Sequence, residues 1–264
     1  MSKWALIAGK GVISHYLKDK IEEKGECLVT VGIVESPPPF SPHYWVKLGE
    51  LAKLISLLKK EKVKNLFFSG KIDKREIMGY NAWDKLAQNI FASLKNFHDK
   101  TILNGLEKLL LREGFLFPDP GKFLASWLAE KGILTRRKPD EEEEKDLRIA
   151  WEAGKILSSL GIGHTVVARN GTVTAVEAVE GTDETILRGG KWGKKGGIAK
   201  VPRPVEDLRW DPPAVGIRTL QVMHKAGIKA MAIGAGKTII MEKEKFLEMA
   251  NSLDISISGW IRES

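Results

Sequence analysis

The sequence predicts an α/β protein: a Rossmann-like N-terminal domain built on a parallel sheet, followed by a C-terminal mixed α/β domain. Three observations carry this reading. Short apolar runs alternate with helical periodicity through the first third of the chain, the pattern of parallel strands with covering helices. A basic-then-acidic block, Arg136-Arg137-Lys138-Pro139-Asp140-Glu141-Glu142-Glu143-Glu144, interrupts the chain near its middle. Beyond it, Asn170-Gly171 separates two β-rich runs and signals a type I′ hairpin. A length of 264 residues suits two domains. The expected division is a Rossmann-like domain over 1–130, a linker over 131–145, and a second α/β domain over 146–264 that carries the chemistry.

The elements follow in order. Residues 4–8 read as a buried strand, Gly9-Lys10-Gly11 as a tight turn, and the stretch through about Lys24 as a helix. A second strand covers Cys27 to Val34, and Pro37-Pro38-Pro39 then forces an extended loop. Leu48 to Lys62 is helical, with Leu51, Leu54, Ile55 and Leu58 on one face. Asn65 to Ser69 is a third strand, and helical patterns run from Asn81 to Arg112 and from Lys122 to Glu130. The acids after Pro139 suit the positive end of a helix covering Asp146 to Leu160. Strands over 165–168 and 172–180 form the hairpin. Gly189 to Gly197 is a basic, glycine-rich loop, Gly216 to Lys225 a helix, and 228–233 and 238–241 are strands.

Composition narrows the class. The hydrophobic fraction of 43% supplies a core, and the formal charge of +8 serves either solubility or a preference for anionic partners, between which charge alone does not choose. The single cysteine, Cys27, excludes an internal disulfide and suits a reducing cytoplasm; its mid-strand position predicts burial. The opening apolar run is too short for a signal core, and no run is long enough to span a bilayer. The five histidines are scattered without zinc spacing, and GxSxG and GxxxxGK[ST] are absent, which argues against a zinc hydrolase, a serine hydrolase and a P-loop NTPase.

Two acidic segments carry the candidate chemistry. In Ala175-Val176-Glu177-Ala178-Val179-Glu180-Gly181-Thr182-Asp183, each glutamate interrupts an apolar strand face, and Thr182 or Asp183 is placed to cap a helix. In Asp207-Leu208-Arg209-Trp210-Asp211, Pro212 favours an extended Asp211, and an extended run aims Asp207, Arg209 and Asp211 one way. Acids alternating with a base suit a divalent cation and a phosphate together. Lys191, Lys194, Lys195 and Lys200 in or beside the glycine-rich loop suggest a lid over an anion. Gly9-Lys10-Gly11 lies where a nucleotide phosphate meets a helix N-terminus, and Glu35 where a ribose-binding acid sits. These two features keep open a nicotinamide-dependent oxidoreductase. The net charge keeps open a non-catalytic polyanion binder.

The segments also carry a resemblance. Val176 to Asp183 resembles the VEAxEGTD segment of the LpxI family, the UDP-2,3-diacylglucosamine pyrophosphatases. Lys200-Val201-Pro202-Arg203-Pro204 through Asp207-Leu208-Arg209-Trp210-Asp211-Pro212-Pro213 resembles that family's K-x-x-K-P-x-Q-D-x-R-F-D-x-P run, and Leu6 to Gly11 its opening LIAGxG. Arg203, Glu206 and Trp210 depart from the pattern, as does His164, where a glutamine is expected. The resemblance implies hydrolysis of UDP-2,3-diacylglucosamine to UMP and 2,3-diacylglucosamine 1-phosphate (lipid X) in lipid A biosynthesis, with Mg²⁺ as cofactor. It implies catalytic Asp207 and Asp211; a metal held by carboxylates from Asp207, Asp211, Glu180 and Asp183; and substrate contacts from Gly9, Gly11, Thr182, Arg188, Lys200 and Arg209. It implies a cytoplasmic protein that touches the inner-membrane surface transiently and has no nucleic-acid partner. Assembly into a homo-oligomer stays open.

Overall fold

The computed structural model describes residues 3–70, 72, 74–94, 99–192, 195–209 and 212–263. Asp211, Trp210 and Lys194, singled out above, lie outside the described residues. The chain divides into two compact units: Met1–Leu124 with Leu208–Asp211, and Ala125–Asp207 with Pro212–Ser264.

In the first unit, β1 (Lys3–Ala8), β2 (Leu28–Ile33), β3 (Tyr44–Val46) and β4 (Val63–Ser69) form one sheet in the order β3-β2-β1-β4. Every pairing is parallel. Helix α1 (Val12–Glu23) joins β1 to β2, and α2 (Leu51–Lys60) precedes β4. The α2 stripe of Leu51, Leu54, Ile55 and Leu58 is buried with Ala5, Ile7 and Val31 of the sheet, as its spacing requires. Burial of a leucine such as Leu58 contributes about 2 kcal/mol. Helices α3 (Lys74–Gly79), α4 (Lys85–Ser93), α5 (Asp99–Arg112) and the single turn α6 (Gly121–Leu124) follow. The Asp84 carboxylate caps α4 by accepting from the Ala87 N–H at 2.8 Å. Cys27 is exposed just before β2, so the expectation that it is core is corrected.

The second unit holds a six-stranded mixed sheet. It comprises β5 (Gly132–Ile133), β6 (Thr165–Arg169), β7 (Thr172–Val176), β8 (Gly197–Lys200), β10 (Ala230–Gly234) and β12 (Ser256–Trp260), in the order β5-β12-β10-β8-β6-β7. β8, β10 and β12 run parallel; β6 opposes both β8 and β7. β9 (Ala214–Val215) and β11 (Ile239–Ile240) make a small parallel pair. Helices α7 (Glu141–Ser159), α8 (Thr182–Gly190), α9 (Ile217–Ala226) and α10 (Lys243–Ser252) complete the unit.

The stretch 131–145 is part of this unit rather than a free linker. Gly132 and Ile133 pair with β12, and the acids 141–144 are the first turn of α7. Asp140 caps that helix, and Glu143 closes a capping box while gripping Arg137 with both oxygens at 2.7 Å. The chain needs this ion pair because Glu143 is buried. At the hairpin, Asn170 and Gly171 both have positive φ, as a type I′ turn demands. The buried Asp146 accepts both of their N–H groups, at 3.1 and 2.8 Å. β7 stops at Val176, four residues short of the expected end. Gly181, at φ 85, caps α8, in place of Thr182 or Asp183.

Candidate functional site

The antiparallel course of β6 brings its first residue to the sheet end where β7 and β8 finish. Thr165 pairs with Lys200, and Val166 with Val176. The segment after β7 then turns through Gly181 into α8, which brings that helix N-terminus to the same end.

Glu177 follows directly on β7 and folds back over the start of β6. Its Oε2 accepts the N–H groups of His164 at 3.1 Å and Thr165 at 2.8 Å. The Thr182 hydroxyl donates to its Oε1 at 2.9 Å. Lys200 Nζ in turn donates to Thr182 Oγ1 at 2.7 Å, and Thr165 Oγ1 lies 3.3 Å from the same oxygen. Lys200 is buried, at 7% exposure. Burial pushes the Glu177 carboxyl up, but the Lys200 charge and hydrogen bonding by Thr165, Thr182 and the His164 N–H outweigh it. The net shift is downward, and Glu177 is ionised at neutral pH. Burial, with Lys200 and Arg203 nearby, holds the His164 imidazole below its usual range despite the bond from its Nδ1 to the Val201 carbonyl at 2.9 Å. A carbonyl only accepts, so Nδ1 carries the proton.

Gly181 supplies no side-chain cap, so the first N–H groups of α8 keep their capacity for an acceptor. Together with the buried ammonium they make a positively polarised corner suited to phosphate oxygens. Among the residues expected at the site, Thr182 and Lys200 meet here. Two more of them, Arg188 and Asp183, are paired in this unit. Arg188 Nη2 donates to the Val176 carbonyl at 2.7 Å and to Glu180 at 2.6 Å, bracing the turn between β7 and α8. Asp183 pairs with the exposed Arg218 at 2.6 Å.

Leu208 and Arg209 form a turn rather than a strand, and Arg209 Nη1 bonds Glu107 of α5 at 2.6 Å. The expected one-sided row of Asp207, Arg209 and Asp211 includes Asp211, which lies outside the described residues. Asp207 is half-buried. Glu206, a departure from the family pattern, turns inward and accepts the Arg203 N–H at 2.8 Å. Among the described residues no three His, Cys, Asp or Glu side chains gather as a metal site. Glu180 and Asp183, each holding an arginine, do not fit a Mg²⁺ ion in this arrangement.

In the first unit, Gly9 and Gly11 lie at the end of β1 and the start of α1. Ser14 Oγ donates to the Gly11 carbonyl at 2.8 Å, and Gly11 has φ 110. A Cβ on Gly70 would meet the Gly9 carbonyl at 2.5 Å, so two glycine turns abut at this end of the sheet. Glu35 is engaged: its Oε2 accepts the Leu48 N–H at 2.9 Å.

Thr165 carries no signal in the sequence; Glu177 does, as an acid interrupting an apolar strand face, but the sequence assigns it no role.

The comparisons with known proteins align with this layout. The description "LpxI N-terminal domain" matches residues 3–127, and "LpxI C-terminal domain" matches residues 130–258. A protein of Caulobacter vibrioides named UDP-2,3-diacylglucosamine pyrophosphatase LpxI is 24% identical over 274 residues, spanning 98% of each chain. With both domains matched in order along nearly its whole length, this chain belongs to the LpxI family.

Proposed function

We propose that this protein is a UDP-2,3-diacylglucosamine diphosphatase: water cleaves the diphosphate to give UMP and 2,3-diacylglucosamine 1-phosphate, lipid X, in lipid A biosynthesis. The observation that carries the reading is the buried Lys200 ammonium tied to Thr182 beside the uncapped N-terminus of α8. A fixed cation and a row of N–H groups offset the charge that builds on phosphoryl oxygens during cleavage. Family membership and the name of the Caulobacter relative supply the substrate.

Within this reading Lys200 and the α8 N–H groups hold the diphosphate, and Asp207 takes a proton from the attacking water. Mg²⁺, when bound, neutralises phosphoryl charge, with Asp207 and Asp211 as the carboxylates assigned to it. In the first unit, taken by itself, Gly9 and Gly11 are offered as nucleotide contacts, a reading supported by the parallel strand order β3-β2-β1-β4. The nicotinamide alternative is weakened because its ribose acid, Glu35, already holds a backbone N–H. No helix among the described residues is long and apolar enough to cross a membrane. Acyl-chain and inner-membrane contact is supported by Ile162, Val179 and Val205, exposed on loops at the sheet end that carries Lys200.

The test is incubation of the purified protein with UDP-2,3-diacylglucosamine, with Mg²⁺ and then with EDTA, following UMP and lipid X. Metal-dependent release of both is expected. A folded, metal-supplied protein that releases neither refutes the activity.

A further inference from the structure

We propose that Glu177 is a positioning residue: through the Thr182 hydroxyl it aims the Lys200 ammonium at the diphosphate. The inference rests on the hydrolase reading above and adds a residue to it.

The direction of each hydrogen bond carries the argument. An ionised carboxylate has no proton to give, so Thr182 is the donor in its 2.9 Å bond to Glu177 Oε1. An ammonium only donates, so Thr182 Oγ1 is the acceptor in its 2.7 Å bond from Lys200 Nζ. Thr182 has one hydroxyl proton, and Glu177 fixes where it points. The oxygen lone pairs are thereby turned toward Lys200. Glu177 is itself immobilised, because two backbone N–H groups at the head of β6 hold its other oxygen. The chain of bonds runs from the rigid sheet, through the carboxylate and the hydroxyl, to the cation. Thr182 is also the first residue of α8, so the same hydroxyl ties the ammonium to the helix N-terminus. A structural carboxylate needs only its own partners satisfied. This one orients a hydroxyl whose oxygen takes a 2.7 Å bond from the cation assigned to substrate, closer than the Thr165 hydroxyl at 3.3 Å.

Glu177→Gln keeps shape but offers Thr182 an amide in place of a pure acceptor. Thr182→Val removes the hydroxyl at nearly constant volume, and Thr182→Ser restores it. Thermal midpoints, kcat and KM for UDP-2,3-diacylglucosamine are measured for these and for the Glu177→Gln/Thr182→Val double variant. Misaiming a group by a fraction of an ångström lowers kcat about 10- to 100-fold, with KM within about threefold. Thr182→Ser is expected to recover most of kcat. The double variant is expected to be no slower than the slower single, because both changes break one chain. The proposal is overturned if folded Glu177→Gln keeps kcat within about twofold, or if the two losses multiply. Should Glu177→Gln fail to fold, the Thr182→Val and Thr182→Ser pair decides, and equal kcat in the two sinks the idea. Should the wild type not hydrolyse the substrate, the function falls separately. Calorimetry with inorganic pyrophosphate then tests the aim alone: weaker binding by Thr182→Val supports it, and equal or absent binding in both proteins overturns it.

Discussion

Replacing Lys200 by methionine removes a buried charge while keeping most of its aliphatic volume. The magnitude follows from the bridge at the site. Legs of 2.7 and 2.9 Å through Thr182 Oγ1 put the ammonium and the Glu177 carboxylate about 5 Å apart. At an effective dielectric constant of about 20 that attraction is roughly 3 kcal/mol, and solvent at the half-buried Glu177 reduces it to about 2. The sign with pH follows from the same pair. The folded Glu177 carboxyl titrates below its ordinary value, so the unfolded chain binds that proton more tightly. Its contribution is therefore present above the unfolded carboxylate range and lost as pH falls through the folded one. In Lys200→Met, burial loses its main opponent and the carboxyl rises. Urea denaturation across about pH 3 to 8 should show the variant about 2 kcal/mol less stable near neutrality, with the gap closing on acidification. On the proposed function, turnover should fall by about 100-fold or more, since the cation assigned to the phosphoryl oxygens is gone. A stability gap that does not change with pH would refute the coupling between Lys200 and Glu177.

Three further outcomes are expected. Asp207→Asn should lower kcat by about 100-fold with an unchanged thermal midpoint, and near-normal turnover would remove Asp207 from the mechanism. Arg137→Met should cost about 3 kcal/mol in urea denaturation, because the buried Glu143 carboxylate loses its bidentate partner; a loss under about 1 kcal/mol would mean that water replaces it. Arg218→Ala should change stability by less than about 1 kcal/mol, since Arg218 is 82% exposed, and should leave the Mg²⁺ dependence of turnover untouched. A sharpened Mg²⁺ response in that variant would return Asp183 to the metal.

Much of the fold is legible from period and punctuation. The alternation through β1, α1, β2, α2 and β4 follows directly from apolar spacing, and Asn170-Gly171 marks its turn. What escapes has a physical reason. β3, β9 and β11 are two or three residues long, too short for any period to register. β12 reads Ser-Ile-Ser-Gly-Trp, too polar to announce a strand beside β10, yet its first four residues are buried. The helix expected over 122–130 is one α-turn followed by a 3₁₀ turn at Ala125–Trp127, because Leu128 bridges to Ile239 and Ala129 bonds the Thr238 carbonyl.

The site shows the same limit more sharply. Placing Glu177 and Glu180 on strand faces assumes that the strand continues, and period-two reasoning holds only while the ladder does. The ladder ends at Val176, and Gly181 at positive φ then swings the chain into α8. Past that point position is set by what the turn can bond. Glu177 finds the N–H groups of His164 and Thr165, and Glu180 finds Arg188 and the Ala178 N–H. The two acids differ by three positions in sequence and by their whole role in space. One becomes the anchor of a directed chain to Lys200, and the other a clasp on the outside of the turn. The motif places both acids near the end of one strand, and only the antiparallel entry of β6 decides which carboxylate is tied to Lys200.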